Sequence, residues 1–275
     1  MKPGAMTEIA LFEAMYSARA LRRLKRDPVP EEILTRVLDA AIRAPSAGNV
    51  QSWSFVVVRD AQQRAKLGAV YRKASDLAEA IYAARERPAH MSADQYRRFM
   101  SSGAYLWDHM GEAPVLLVPC MQRPRLPPPD RLPAEVQARY EEELAYAQRI
   151  RGASIYPAVQ NIILACRAFG LATLITTNHI RYEEEVKEIL GIPGDVDTYA
   201  LMPIGYPEGK FGPLRRRPVT EVAYADRWSN PWPGTGATTQ TSSVGSQERH
   251  HMQQTHRAPG RKTPTPRIPS AGAGL

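Results

Sequence analysis

Arginine side chains gather at two places that lie far apart in the sequence. Arg19, Arg22 and Arg23 follow the first predicted helix, and Arg215 and Arg216 lie in a second cluster near the end of the apolar part of the chain. A guanidinium fork matches phosphate oxygens with paired hydrogen bonds, so the two clusters could close over one phosphate group. The first cluster could equally be a basic helix end that complements the helix dipole, and the second could be solvated charge.

A second kind of chemistry is indicated by the segment 44–53, APSAGNVQSW. Small residues around Pro45 and Ser46 let the backbone approach a flat ring, and the amides of Asn49 and Gln51 can donate and accept hydrogen bonds along the edge of a heterocycle. A plain helix-to-strand turn would also use Pro, Ser, Gly and Asn. It would leave two carboxamides and a tryptophan unexplained, and the segment therefore favours a ligand-binding turn.

Several other kinds of site are absent from the sequence. No nucleophile elbow, Walker loop, HExxH motif or glycine-rich dinucleotide fingerprint occurs, which excludes the hydrolase and P-loop classes. The two cysteines, Cys120 and Cys166, stand alone in apolar runs, so neither a disulfide framework nor a CxxC metal site is expected. His250, His251 and His256 have no suitable partners in a rigid element, and we expect no metal.

The elements that position these residues follow from apolar periodicity. Helical spacing and short β-branched runs alternate, which predicts α+β architecture. The most apolar helix should be the buried core helix, with Ser154 as its N-cap or Tyr156 facing a pocket, and Gly170 should stop it. The predicted helices cover 9–16, 33–41, 67–81, 94–110, 134–150 and 159–169, and the predicted strands cover 55–58, 115–118, 174–176 and 199–204.

Composition predicts one folded domain followed by a tail. At 43% hydrophobic residues, a chain of 275 residues can bury a sizeable core. We predict a domain over 1–228, which includes a Pro-rich insertion at 122–133 and lid helices over 94–110 and 134–150. Residues 229–275 are rich in Gly, Pro, Ser and Thr with few large aliphatics, which predicts a disordered basic tail.

The net charge of +8 could suggest nucleic-acid binding, but half of this excess lies in residues 229–275. The charge that remains is mild and mixed in sign, which indicates an ordinary solvated surface rather than a nucleic-acid face. No signal peptide and no apolar run of about 18 residues occurs. We therefore expect a cytoplasmic protein without a membrane span.

The order of these motifs resembles that of the FMN-dependent nitroreductase family. PVP at 28–30, APSAGN-Q-W at 44–53, GLATLITTNH at 170–179, and GYP followed by RRRP carry the resemblance, which runs from about residue 15 to residue 228. It implies a nitroreductase-like α+β fold in which helices flank a central mixed or antiparallel sheet. It also implies an intertwined homodimer with FMN at the subunit interface.

The resemblance also implies roles for individual residues. Pro45, Ser46, Asn49 and Gln51 would contact the flavin ring or ribityl chain across the dimer interface. Serine is usual at the position of Ala20, and its loss leaves open whether Arg22 or Arg23 faces the phosphate. The implied FMN phosphate ligands are Arg19, Arg22, Arg23, Arg215 and Arg216.

The reaction implied by the resemblance is hydride transfer from NADH or NADPH through flavin N5 to a small electron-poor acceptor, such as a nitroaromatic, a quinone or an activated alkene. Ile175, Thr176 and Thr177 match the strand end that approaches N5, and which of them donates to it stays open. No side chain is required as an acid. Two alternatives remain: a flavin-modifying or dehalogenating relative, and a binding module that uses the basic tail.

Overall fold

The computed structural model describes residues 9–123 and 125–234. The chain divides into two compact units, Met1–Arg216 and Arg217–Leu275. The first unit contains all the helices and sheet strands described below and every candidate site residue. Most of the predicted tail, from residue 235 onward and including its three histidines, lies outside the described residues.

An antiparallel sheet forms the centre of the first unit. The strand order is β1-β2-β5-β3, and β4 pairs with the far end of β2. Every pairing between these strands is antiparallel, and β2 is buried over nearly its whole length, as a central strand covered on both faces should be. The strands are β1 (Trp53–Val58), β2 (Val115–Gln122), β3 (Ala172–Thr173), β4 (Val196–Thr198) and β5 (Met202–Gly205).

A β-bulge separates β4 from β5. Thr198 and Met202 are four residues apart, whereas their partners on β2 are three apart. At the bulge, the backbone N–H of Leu201 donates to the carbonyl of Thr176 at 2.9 Å, and the Thr176 hydroxyl donates to the Leu201 carbonyl at 2.5 Å. The bulge therefore fixes the segment 175–177.

Helices cover both faces of the sheet. The longest is α3, and α7 is the core helix, which buries Ile155, Val159, Ile162 and Cys166. Gly170 has φ of 72°, a left-handed conformation that lets the chain turn away after α7. The helices are α1 (Leu11–Ser17), α2 (Glu31–Ala41), α3 (Ala61–Ala83), α4 (Ala93–His109), α5 (Ala134–Gln137), α6 (Tyr140–Ile150), α7 (Ile155–Ala168) and α8 (Glu183–Leu190).

The side chains of β2 alternate between two hydrophobic cores, as the period of a strand requires. Val115 and Leu117 pack in the core that contains α2 and α7. Leu116 and Val118 pack in the opposite core, with α3, α4 and α8. The sheet is therefore the middle layer between two helical layers.

Three sequence predictions need correction, and two elements were not predicted. The third strand is β3, and 174–176 is not a strand because Thr176 bonds to the bulge. The strand predicted at 199–204 begins only at Met202, because the bulge precedes it. The helix predicted at 134–150 is two helices, α5 and α6, interrupted where the Arg139 N–H closes a tight turn on the Val136 carbonyl at 3.0 Å. Finally, β4 and α8 were not predicted.

The two cysteines lie within the described residues, and both are free and buried. Burial raises the pKa of the Cys120 thiol and of the Cys166 thiol to about 12, so neither is a thiolate near neutral pH. Within the same residues, no group of three His, Cys, Asp or Glu side chains is placed to hold a metal ion. None of the described helices is both long and apolar enough to cross a bilayer.

Candidate active site

The two arginine clusters lie side by side in the fold. Residues 206–214 run antiparallel to residues 16–25, and Leu24 and Pro207 form an isolated antiparallel bridge. This pairing brings Arg215 and Arg216 to the end of α1, where the first cluster begins. Three backbone hydrogen bonds join the segments: Lys25 N–H to the Tyr206 carbonyl at 2.8 Å, Glu208 N–H to the Arg23 carbonyl at 3.1 Å, and Leu214 N–H to the Tyr16 carbonyl at 2.8 Å.

None of the five arginines in these clusters forms an ion pair with a carboxylate among the described residues. Arginines elsewhere do so; Arg72, for example, contacts Asp76 at 2.6 Å and Asp108 at 3.0 Å. Neighbouring arginines without acidic partners can together attract a multiply charged anion. We call Arg19, Arg22, Arg23, Arg215 and Arg216 the arginine site.

Arg22 and Arg23 point to different surroundings. Arg22 is half-buried, donates to the Ser102 hydroxyl at 3.3 Å, and lines a cavity of about 220 Å³, the first cavity. Burial lowers the pKa of the Arg22 guanidinium, because the charged form loses hydration. Arg23 is exposed, and its guanidinium lies over the ring of Tyr105 on α4, 3.8 Å from the centroid. Of the two, Arg22 is the one that faces the first cavity.

The first cavity brings Arg22 together with a second group of candidate residues. One wall is the segment 174–178, which includes Ile175, Thr176 and Thr177. The opposite wall comes from α3 and α4 and is largely aromatic. Sequence reasoning missed these aromatic residues, because their helical spacing is equally typical of a core; they are Tyr71, Tyr82, Phe99 and Trp107.

The segment 45–51, which we call the amide turn, has an unusual backbone. Asn49 and Gln51 have φ of 54° and 53°, in the left-handed region that side chains other than glycine rarely adopt. The Ser46 hydroxyl accepts from the Gln51 N–H at 3.1 Å, and the Ser46 carbonyl accepts from the Asn49 N–H at 3.0 Å. Such strain costs on the order of 1–3 kcal/mol per residue and is concentrated at functional sites.

The N-terminus of α7 supports the amide turn. Ser154 occupies the N-cap position but makes no capping hydrogen bond; its hydroxyl accepts from the Ala47 N–H at 3.2 Å. Tyr156, the other candidate there, packs edge-on against Tyr199 with ring centroids 5.9 Å apart. The serine predicted as a cap therefore shapes the turn instead.

Within one chain, the amide turn and the arginine site border different cavities. Ser46 and Val50 line a second cavity of about 550 Å³, with Tyr146 and Ile150 of α6 across from them. No residue of this second cavity lines the first. Pro45, Asn49 and Gln51 are exposed to solvent. The structure thus joins the two arginine clusters and the segment 175–177, but not the amide turn.

Comparison with known proteins assigns the chain to a class. Residues 16–206 match the profile of the Nitroreductase family. Helices on both faces of an open antiparallel sheet agree with the fold of its solved relatives. The chain therefore belongs to the nitroreductase family, and its class is that of an oxidoreductase.

Three similar proteins illustrate this membership. A protein named NADH dehydrogenase from Thermus thermophilus is 29% identical over 218 residues, which cover 76% of this chain and 92% of that protein. A BluB-like flavoprotein from Clostridium difficile 630 superposes with a TM-score of 0.59 at 21% identity, covering 80% of this chain and 100% of the other. The structure of iodotyrosine deiodinase bound to FMN and 3-iodo-L-tyrosine superposes with a TM-score of 0.55 at 20% identity. The superposition covers 76% of this chain and 96% of the deiodinase chain. Because the flavoprotein and the deiodinase are only 21% and 20% identical to this chain, their structures are evidence for its fold alone.

Proposed function

We propose that the protein is an FMN-dependent oxidoreductase that takes hydride from NADH or NADPH and passes it to a small electron-poor acceptor. The observation that carries this proposal is that two arginine clusters without carboxylate partners among the described residues lie side by side in the fold and place Arg22 in the first cavity. The flavin bound by the deiodinase supports FMN as the cofactor, and the name of the Thermus relative supports a nicotinamide donor.

The residues present fit FMN. Its phosphate needs several cationic donors, and Arg19, Arg215 and Arg216 are free of carboxylates among the described residues. Its flat ring needs a wall that the backbone can approach, and the segment 175–177 lies across the first cavity from the aromatic side chains of α3 and α4. Arg22 is the cation that lines this cavity, whereas Arg23 packs on Tyr105, which does not line it.

FMN, once bound, supplies the redox chemistry by accepting hydride at N5 and releasing it to the acceptor. The half-buried Arg22 would favour the negative charge of a reduced flavin ring, because a cation acts more strongly where water is excluded. The backbone N–H groups of Ile175, Thr176 and Thr177 donate no hydrogen bond to another described residue. Each is therefore available to donate to N5, and the bulge holds all three in place.

The proposed enzyme is a homodimer in which the amide turn of one protomer completes the site of its partner. The turn borders a cavity other than the one beside the arginine site, so within one chain the two halves of the expected flavin site stay apart. Exposed apolar side chains on α1 and on the amide turn support burial against a second copy. These side chains are Leu11 at 58%, Phe12 at 65%, Tyr16 at 67% and Val50 at 72% exposed.

The lining of the first cavity favours a planar acceptor. Tyr82, Phe99 and Trp107 offer ring faces and edges against which a flat molecule can pack. Arg22 is the charged residue among the side chains that line this cavity. A dehalogenase is the second candidate, favoured by the likeness to a structure that holds 3-iodo-L-tyrosine.

Reconstitution and stopped-flow reduction test the proposal. The purified protein should take up FMN, acquire a flavin absorbance band, and lose that band on anaerobic mixing with NADH or NADPH. Reoxidation by a nitroaromatic, a quinone, an activated alkene and 3-iodo-L-tyrosine in parallel then identifies the acceptor class. A protein that takes up no FMN at a large excess of cofactor contradicts the proposal.

A further inference from the structure

The chain makes one long excursion from the sheet. It leaves after β2 at Arg123 and returns to α7 after Arg151, and we call residues 123–151 the excursion. It contains the Pro-rich segment, α5 and α6. Neither α5 nor α6 has a buried residue, so core packing does little to hold them.

Both ends of the excursion contact one carboxylate on the sheet. Asp197 lies on β4 and is only 7% exposed. Arg123 donates to its Oδ1 from Nη2 at 2.6 Å and from Nε at 3.2 Å. Arg151 donates from Nη2 to its Oδ2. One buried acid therefore joins the two ends of the excursion, at Arg123 and Arg151, which we call its stems.

A neighbouring ion pair provides a comparison. Arg125 contacts Asp195 at 2.9 Å, but these side chains are 74% and 35% exposed. Water and salt screen an exposed pair, so its loss changes little. Removing the buried carboxylate of Asp197 instead takes away the shared partner of two guanidinium groups that are 48% and 33% exposed, which weakens both contacts at once.

The excursion forms one wall of the second cavity. Tyr146 and Ile150 of α6 lie on this wall, and Ser46 and Ala47 of the amide turn lie on the other. The position of α6 therefore sets the width of a cavity that borders the turn. In the proposed dimer, that turn contacts the flavin held beside the partner's first cavity, so the second cavity of one protomer and the first cavity of the other border the same acceptor.

We propose that Asp197 is a positioning residue for acceptor binding: by holding both stems of the excursion, it fixes α6 opposite the amide turn. The inference rests on the proposed function for the identity of the ligand. The anchoring itself rests on the contacts of Asp197 with Arg123 and Arg151, which add to the backbone hydrogen bond from the Arg123 N–H to the Asp195 carbonyl at 2.8 Å.

Asp197→Asn tests the inference, with Asp195→Asn as a control of equal charge change two residues away. Trypsin should cut the FMN-loaded Asp197→Asn protein about tenfold faster within the excursion, at sites such as Arg131 and Arg139, because local opening exposes them. The KM for a quinone acceptor should rise about tenfold, while the rate of flavin reduction by NADH and the Kd for FMN stay within about twofold. Asp195→Asn should match the unmodified protein in each measurement.

Cleavage and acceptor KM in Asp197→Asn equal to those of Asp195→Asn would overturn the inference. If Asp197→Asn does not fold, Arg123→Gln removes one stem contact and leaves Arg151 on Asp197. It should accelerate cleavage of the excursion to a smaller extent, and unchanged cleavage would overturn the inference. Failure of the unmodified protein to take up FMN contradicts the proposed function instead, and the cleavage comparison still shows whether Asp197 holds the excursion.

Discussion

Arg22 combines two properties that seldom occur together in a guanidinium group. It is half-buried, and within the described residues its side-chain partners are a hydroxyl and a carbonyl rather than a carboxylate. A cation that is desolvated without an acidic partner is stabilised when an anionic or electron-rich ligand binds beside it. The proposed flavin site accounts for its position.

Arg22→Gln should weaken FMN binding by about 1.5–3 kcal/mol, the usual contribution of a hydrogen bond to a charged group. Quenching of FMN fluorescence during titration measures the Kd. Arg139→Gln is the matched control, since this arginine is 68% exposed and pairs with Glu142 on the surface of the excursion. Equal FMN affinity of the two variants would remove Arg22 from the site.

Asn49→Gly separates ligand binding from fold stability at the amide turn. Asn49 has φ of 54°, and glycine adopts this conformation without strain. The apo variant should therefore be as stable as the unmodified protein or more stable by up to about 1 kcal/mol, measured by urea unfolding. Its FMN should be reduced more slowly by NADH because the ring loses an amide contact. An unchanged reduction rate would argue against that contact.

Part of the candidate site could be predicted from the sequence alone. The rest could not, for physical reasons that differ from residue to residue. Consecutive arginines and an amide-bearing turn stand out because ordinary surfaces and turns do not need them. Trp107 and Tyr82 did not stand out, because aromatic residues at helical spacing also fill cores. Asp197 is one of two acids in a stretch whose sequence resembles a loop, and only the fold shows that two distant arginines contact it.

At the scale of elements, long apolar periodic segments were predicted correctly and short or charged ones were not. The core helix α7 and the central strand β2 follow from their apolar patterns. β4 has three residues and α8, which reads EEEVKEIL, has eight, so neither is long enough for its apolar spacing to predict an element on its own. The run 174–176 was wrongly predicted as a strand, because its β-branched residues favour strands while its hydrogen bonds go to the bulge.

Gly170 provides a test of how α7 ends. Its φ of 72° requires a residue that tolerates the left-handed conformation. Gly170→Ala should lower the free energy of unfolding by about 1–2 kcal/mol, measured by urea unfolding. Gly209→Ala is the control, because a Cβ there meets nothing within 4 Å and its φ is not in that region. Equal stability of the two variants would contradict this account of the helix terminus.

At the scale of the whole molecule, a buried histidine makes folding depend on pH. His179 is fully buried, and its Nε2 lies 3.1 Å from the hydroxyl of Thr198, which also donates to Glu183. Burial lowers the pKa of His179 to about 4, against a weaker opposing effect of Glu183. Since the folded pKa lies below the unfolded value, stability is complete above about pH 6.5 and is lost as the pH falls toward 4.

Urea unfolding at pH 7.5 and pH 5 checks this dependence. The linkage predicts that His179 alone accounts for a loss of about 2 kcal/mol between these two pH values. In His179→Gln this part of the loss should be absent, although the variant is less stable at both pH values. An equal loss in both proteins would show that His179 is not the group responsible.

The central claim is that each flavin is held by the arginine site of one protomer and the amide turn of the other. A heterodimer of differently tagged chains tests it most directly, with Arg19→Gln and Arg22→Gln in one protomer and Asn49→Gly and Gln51→Gly in its partner. Each variant homodimer should retain little FMN. The purified heterodimer should retain one FMN per dimer, because one of its two sites is then intact. A heterodimer that retains as little FMN as either homodimer would contradict the account.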